Sequence, residues 1–261
     1  MPRRYALHRA ANGVPHDLWR TRHALVLLFA ISFPSFGIVF PAGFPYKGTR
    51  DSEMQYAIER PGIVERALRL ADELSFAVRP EGNSPPSVAA GPSCCLDEMG
   101  MLLQTLAASV DCGLVGEIGT GAGVGTAWLA SGLRPTSRLL TVEIEPRLAS
   151  GARNLFRDRG NIQVLTGDWR AEFSSSKPFD LLFADGGGVD KLPAEKWSIF
   201  ADMLRPGGIV AMDDLTPEDS WPASWKGKPD PKRELAFRSG LFVAAELRLR
   251  PHVSALIMSR K

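Results

Sequence analysis

The 261-residue chain predicts an α/β protein: a Rossmann-like, doubly wound sheet of five parallel strands, closed by an antiparallel C-terminal hairpin and preceded by helices. Three observations carry this. Residues 114–118 form a short apolar run that ends in glycines at 119, 121, 123 and 125, after which Ala127, Trp128, Leu129 and Leu133 begin a helical pattern. Strand, glycine turn and helix make the first βα unit of a nucleotide-binding sheet, because glycines let the chain turn tightly and let a ligand meet the main chain without a Cβ between them. Downstream, short apolar runs and helical patterns alternate, as a parallel sheet covered on both faces requires. The tail then breaks the alternation.

The chain opens on a segment unlike the rest. Residues 1–50 hold seven Lys/Arg and one acid, Asp17, whereas the remainder holds 24 bases and 28 acids. An apolar run at 24–33 is cut by Pro34, and a second at 36–44 contains Pro41 and is closed by Pro45. A membrane-spanning helix needs about 20 apolar residues without such breaks, and the long basic lead does not suit a secretory signal. Residues 1–53 are expected to lie outside the folded domain, with Met54 as an alternative start; a peripheral membrane anchor is the competing reading.

Residues 54–113 form a helical segment packed on the core, and 114–261 the ligand-binding domain. Pro61 suits a first helical position, and Val64, Ala67, Leu68, Ala71 and Leu74 recur at helical spacing. Residues 79–92 are rich in Pro, Gly and Asn and read as a loop. Ser93 is placed to cap a second helix, whose stripe is Leu96, Met99, Leu103, Leu106 and Val110. After the glycine turn come a strand at 139–142, a helix at 146–159, strands at 162–166 and 179–184, a helix at 194–204 stopped by Pro206-Gly207-Gly208, and a strand at 209–212. Residues 242–249 and 254–259 flank Arg250-Pro251-His252 and pair as a hairpin. Adjacent Cys94 and Cys95, with Cys112, make neither a disulfide framework nor a metal-ligand set, which fits a reduced, cytoplasmic setting.

The spacing of the glycines selects among nucleotides. A dinucleotide fingerprint needs G-x-G-x-x-G, and the third position is Val124 or Thr126 in the two available registers. What stands here is Glu117-x-Gly119-x-Gly121-x-Gly123. This resembles the first motif of class I S-adenosylmethionine (SAM) methyltransferases. The resemblance implies that Glu117, Gly119, Thr120, Gly121 and Gly123 form the cofactor loop, with the glycines along the methionine part and the acid orienting the loop and the cofactor's amino group. Glu143 ends the second strand, 24 residues after Gly119, near the distance at which a carboxylate accepts from ribose hydroxyls; Glu145, two residues on, competes for that role. Asp168, in Thr166-Gly167-Asp168-Trp169, is the candidate acceptor for the adenine amino group, and Trp169 either stacks on the purine or fills the core.

The fourth and fifth strands end in Asp185 and in Asp213-Asp214. The carboxyl ends of parallel strands face the binding crevice, and three carboxylates meeting there repel unless a hard cation or protons compensate. Together with Thr141-Val142-Glu143-Ile144-Glu145-Pro146 this is similar to the metal-dependent O-methyltransferases related to catechol and caffeoyl-CoA methyltransferases, over residues 93–261. That resemblance implies Asp185 and Asp213 as ligands of Mg²⁺ or a similar divalent cation, with Asp214 where the family carries Asn. It also implies a lysine base three residues after the first Asp, where this chain has Gly188; Lys191 is the nearby candidate. The Trp221- and Trp225-bearing loop at 215–232 is expected to be a substrate wall or a pinned strap.

The reading that follows is a SAM-dependent methyltransferase acting on a hydroxyl, possessing an in-line transfer in which positioning supplies much of the rate. The acceptor is a small molecule, an aromatic hydroxyl being one candidate class, and the protein a monomer or homodimer. Alternatives are a metal-independent small-molecule methyltransferase, an aminopropyl transferase on a similar sheet, and a degenerate SAM-binding protein. Nucleic acid is excluded as a substrate, since no Asn/Asp-Pro-Pro-Tyr motif or basic aromatic platform is present.

Overall fold

The computed structural model describes residues 58–76, 94–176, 178–186, 189, 192–193 and 196–261. The expectations for residues 1–53, for Ser93 and for Gly188 and Lys191 fall outside these. The described chain runs α1 (Gly62–Glu73), α2 (Asp97–Ser109), β1 (Leu114–Ile118), α3 (Val124–Gly132), β2 (Arg138–Glu143), α4 (Pro146–Leu155), β3 (Ile162–Thr166), α5 (Trp169–Glu172), β4 (Phe179–Ala184), α6 (Ile199–Met203), β5 (Leu204–Leu215), α7 (Pro231–Arg233), β6 (Phe242–Arg250) and β7 (Val253–Arg260). Its sheet has the order β3-β2-β1-β4-β5-β7-β6. β1 to β5 are parallel, and β7 inserts antiparallel between β5 and β6. The expected five parallel strands and terminal hairpin are therefore present.

Both faces of the sheet are buried, which is why its central strands read as continuous apolar runs. One face packs under α1 to α4 around Met99, Leu103, Trp128, Leu129 and Leu181. The other holds Trp169, Phe173, Phe179, Phe200, Met203 and Leu204. β1 lies mid-sheet between β2 and β4, so the glycine turn that follows it opens at the point where the strand order reverses.

Several boundaries differ from the sequence expectation. Pro61 is the N-cap of α1, not its first helical residue. The second helix starts at Asp97 behind Leu96, with no side-chain cap, four residues beyond Ser93. α4 ends at Leu155 because Phe156 turns into the core. Of the helix expected at 194–204 the described residues show Ile199–Met203, and Leu204 already pairs with Phe179 as the start of β5.

The α2–α3 contact depends on missing side chains. A Cβ on Gly132 would overlap the backbone carbonyl of Gln104, and one on Gly100 would overlap the Trp128 ring. Ala ordinarily favours a helix over Gly by at most about 1 kcal/mol, whereas forced overpacking costs about 1–3 kcal/mol. The backbone of Gln104 cannot swing aside, so the clash decides the sign. Gly132→Ala is expected to lower stability by about 1–2 kcal/mol; a denaturant titration showing equal or higher stability would contradict this packing.

Candidate active site

The site is built at the carboxyl ends of β1, β2, β4 and β5. Gly119, Gly121 and Gly123 hold φ values of 93°, 54° and 88°, conformations that side-chain-bearing residues adopt at a cost. At Gly119 there is also no room, because a Cβ would stand 2.5 Å from the Asp185 carbonyl oxygen. Val142 O accepts from the amides of Gly119 (3.0 Å) and Thr120 (3.2 Å), and Ile118 O accepts from the Asp185 amide (3.0 Å). The turn is thus stitched to both neighbouring strands.

Beneath the turn lies a buried polar chain. Thr120 and Thr141 hydroxyls are 2.5 Å apart, Thr141 donates to Glu117 Oε2 at 2.6 Å, and Thr126, in the first turn of α3, donates to the same oxygen. Thr141 has given its proton to Glu117, so Thr120 is the donor to Thr141. Glu117 has no exposed surface, and among the described residues its Oε1 has no hydrogen-bond partner; a Cβ on Gly125 would lie 2.5 Å from it. Burial pushes its carboxyl up to about 8, opposed by the two threonine hydroxyls and aided by the charges of Glu143 and Asp213. A neutral acid leaves a bare oxygen at lower cost than a carboxylate would. Glu117 supports the turn from below.

Glu143, only 8% exposed, receives the Gly121 amide on Oε2 (2.7 Å) and the Glu145 amide on Oε1 (2.9 Å). It closes the glycine turn onto the end of β2, and each oxygen retains a lone pair for a ligand hydroxyl. Its competitor Glu145 is exposed and caps α4 through the Arg147 amide. Asp168 caps α5 through the Arg170 amide and pairs with the Arg170 guanidinium at 2.8 Å. Trp169 requires a correction. It is 5% exposed and stacks on Phe200 with centroids 5.9 Å apart, so it fills the core and offers no face to a purine.

Asp185, Asp213 and Asp214 come together as expected from neighbouring strand ends: one carboxylate oxygen of each lies within 4.8 Å of the others. Asp213 is buried, Asp185 half-buried and Asp214 exposed. Asp214 has φ 60°, a region in which Asn and Asp are the favoured side-chain-bearing residues.

The sequence reading missed three groups here. Lys232 Nζ donates to the Asp213 carbonyl at 3.1 Å; seventeen residues, 215–231, rich in Pro and Trp, separate it from Asp214, and no spacing rule links them. Arg233 is buried and anchors that loop, donating to Glu246 (2.8 and 2.6 Å), Asp230 (3.1 Å) and Thr216 O (2.9 Å). Trp221 Nε1 donates to Thr216 O at 2.8 Å and its ring sits 5.2 Å from the Arg233 guanidinium, so this tryptophan is a strap, while Trp225 is exposed. Cys94 and Cys95 face the same acids. Burial and the charge of Asp185 push the Cys94 thiol up to about 11, and burial with Asp213, Asp185 and Glu117 pushes Cys95 well above its ordinary value, which keeps both protonated.

Among known proteins, residues 117–215 match the methyltransferase-domain family. The chain is 32% identical over 123 residues to the catechol O-methyltransferase of Mycobacterium tuberculosis, a match that covers 45% of this chain and 55% of that one. It spans just over half the length of the curated relatives it matches. Similar solved folds are the O-methyltransferase of Bacillus cereus in complex with S-adenosylhomocysteine (SAH), with TM-score 0.59 and 20% identity over 79% of this chain and 94% of that one, and the O-methyltransferase TomG of Streptomyces achromogenes in complex with SAM, with TM-score 0.58 and 20% identity over 79% and 93%. Residues 117–215 thus match a methyltransferase-domain family, on a sheet that shares the fold of these solved O-methyltransferases.

The pH dependence of stability follows from Glu117. Its folded value, about 8, lies above the ordinary carboxyl value of 4.5. Between those values the folded state keeps a proton that the unfolded state has lost, so stability is full below 4.5, falls as pH rises, and levels off above 8. Glu117→Gln, which keeps an acceptor oxygen without ionising, is expected to flatten this slope and to exceed the wild type in thermal midpoint at pH 8. Parallel curves for the two proteins would show that Glu117 is ionised in the fold.

Proposed function

We propose that this methyltransferase domain transfers the methyl group of SAM to a hydroxyl of a small molecule, assisted by a divalent cation. The observation that carries the reading is the glycine turn after β1, closed by Glu143 and facing three carboxylates at the ends of β4 and β5. The strand order sets a direction. Asp168 and Glu143 stand at the ends of β3 and β2, on one side of the turn, and suit the adenine and ribose. Asp185 and Asp213 stand on the other side, where the reacting end belongs. The cofactor supplies the methyl group; the chain's part is to hold donor and acceptor in line, which converts an encounter between two molecules into a positioned one.

The acidic cluster fits a hard cation. Its donors are all oxygen, and one ion with oxygen ligands at about 2.0–2.6 Å spans oxygens up to about 5 Å apart, a range that includes the 4.8 Å seen here. Mg²⁺, Mn²⁺ or Ca²⁺ suits such a set better than zinc. Asp185, Asp213 and Asp214 would hold the ion, which would lower the pKa of an acceptor hydroxyl and fix its place. Lys191 is assigned as proton acceptor, in place of the lysine that related enzymes carry where this chain has Gly188. An aromatic acceptor is in keeping with the exposed Trp225 beside the crevice loop. Residues 1–53 are assigned to a segment dispensable for this site, and the protein to the cytoplasm, an assignment that the free cysteines support; among the described residues no helix is long and apolar enough to cross a membrane.

Two outcomes test the reading. Calorimetric titration of the whole chain should show SAH binding, and Glu143→Ala should weaken it by on the order of 1–3 kcal/mol, because a charged acceptor is lost and the turn is unclosed; a wild type that binds NAD and ignores SAH would end the proposal. Asp185→Ala and Asp213→Ala should abolish Mn²⁺ binding and cation-dependent transfer while leaving SAH binding largely intact. Asp214→Asn should retain both, since Asn accepts the same backbone conformation. Full activity after exhaustive chelation would favour the metal-independent alternative.

A further inference from the structure

The end of α1 reaches the glycine turn. A Cβ on Gly121 would meet the Phe76 ring, at 3.0 Å from Cζ and 3.2 Å from Cε1, so the ring fills the space that a side chain at 121 would occupy. Phe76 is held there by more than its own contact. The Phe76 amide donates to Ala71 O (2.8 Å) and the Ser75 amide to Asp72 O (2.9 Å), with Ser75 at φ 52°. This is a Schellman helix end, in which the left-handed residue is normally Gly and the next side chain folds back onto the helix. Arg147, in the first turn of α4, donates to Leu74 O at 3.0 Å, and the Leu74 side chain lies over Gly151. The helix end is therefore fastened to α4, and the aromatic ring is directed at one residue of the turn.

We infer that Phe76 is a positioning residue for the cofactor: it backs Gly121 and holds the turn in its binding shape at the junction between the ribose acceptor Glu143 and the acidic crevice. This rests on the proposed function. Gly121 is the residue whose amide binds Glu143, so the ring and the carboxylate hold the same peptide unit from two sides. A glycine with φ 54° has no side chain of its own to hold it, so its conformation depends on its neighbours. Ordering it in advance spares the ligand that cost. The effect should be felt most by the part of the ligand that lies beyond the ribose, toward Asp185, and least by the adenine end near Asp168.

The test compares wild type, Phe76→Ala and Phe76→Tyr in the full chain, by calorimetric titration with SAH and with adenosine, alongside thermal melts. Phe76→Ala should weaken SAH about tenfold while changing adenosine by less than about threefold, and Phe76→Tyr, which keeps the ring, should restore the wild-type value. Equal SAH affinity in wild type and Phe76→Ala overturns the inference. So does an equal loss for both ligands, or a loss that Phe76→Tyr does not repair, since either marks a general packing role. Ser75→Gly supplies a second variant that keeps the fold: it relieves the left-handed strain, should raise the thermal midpoint and should leave SAH binding at least as tight. Failure of the wild type to bind SAH at all would count against the proposed function, a result distinct from any of these.

Discussion

The site depends on burying a carboxyl group under a glycine turn. Glu117 occupies the last turn of space between β1 and α3, where only Gly125 leaves room for its outer oxygen. Its inner oxygen collects hydroxyl protons from Thr126 and Thr141, and Thr120 extends the chain to the turn itself. Strand, neighbouring strand and helix are joined through one atom, and Thr141 passes the link on to the turn. In a medium of low polarity such a network is strong when satisfied and costly when broken, so it fixes the height and tilt of the turn. Everything that the turn presents to a ligand inherits that placement.

Above the network the same turn is held from three further directions. Val142 O and Glu143 secure it to β2, the Asp185 backbone approaches it from β4, and the Phe76 ring backs it from α1. Three alternating glycines at positive φ would be a loose hinge in isolation. Here they are the one sequence that permits four elements to come within contact of a single backbone segment, and rigidity comes from the neighbours. A site supported in this way can hold two reactants in line without rearranging at each turnover.

The acidic crevice is organised on the opposite principle. Its three carboxylates are brought together by strand adjacency alone, β4 beside β5, and stand graded from buried Asp213 to exposed Asp214. The loop that follows does not float over them. Arg233 binds Glu246, Asp230 and Thr216 O, and Trp221 lies across its guanidinium, so Lys232 arrives at the Asp213 carbonyl from a fastened neighbour. The Lys232 ammonium is thereby set against the Asp213 carbonyl by contacts made outside the acidic cluster.

By itself the sequence determined the sheet, the turn and the identity of the strand-end acids. Each of these rests on local rules: apolar runs of strand length, glycines where the backbone must be left-handed, carboxylates at the carboxyl ends of parallel strands. Glu143, Asp185, Asp213 and Asp214 were legible for that reason. What only the tertiary structure decided is which way a side chain faces and what lies across from it. Trp169 reads equally as a stacking platform or as core until Phe200 is seen against it, and the hydroxyls that Glu117 gathers beneath the turn are seen only once β1, β2 and α3 are packed together. Lys232, Arg233 and Phe76 carry no motif. Their places come from long-range packing, with the 17 residues 215–231 before one and a helix end fastened to α4 before another. Proximity between residues far apart in the chain depends on how the intervening elements pack, and no local pattern encodes that distance.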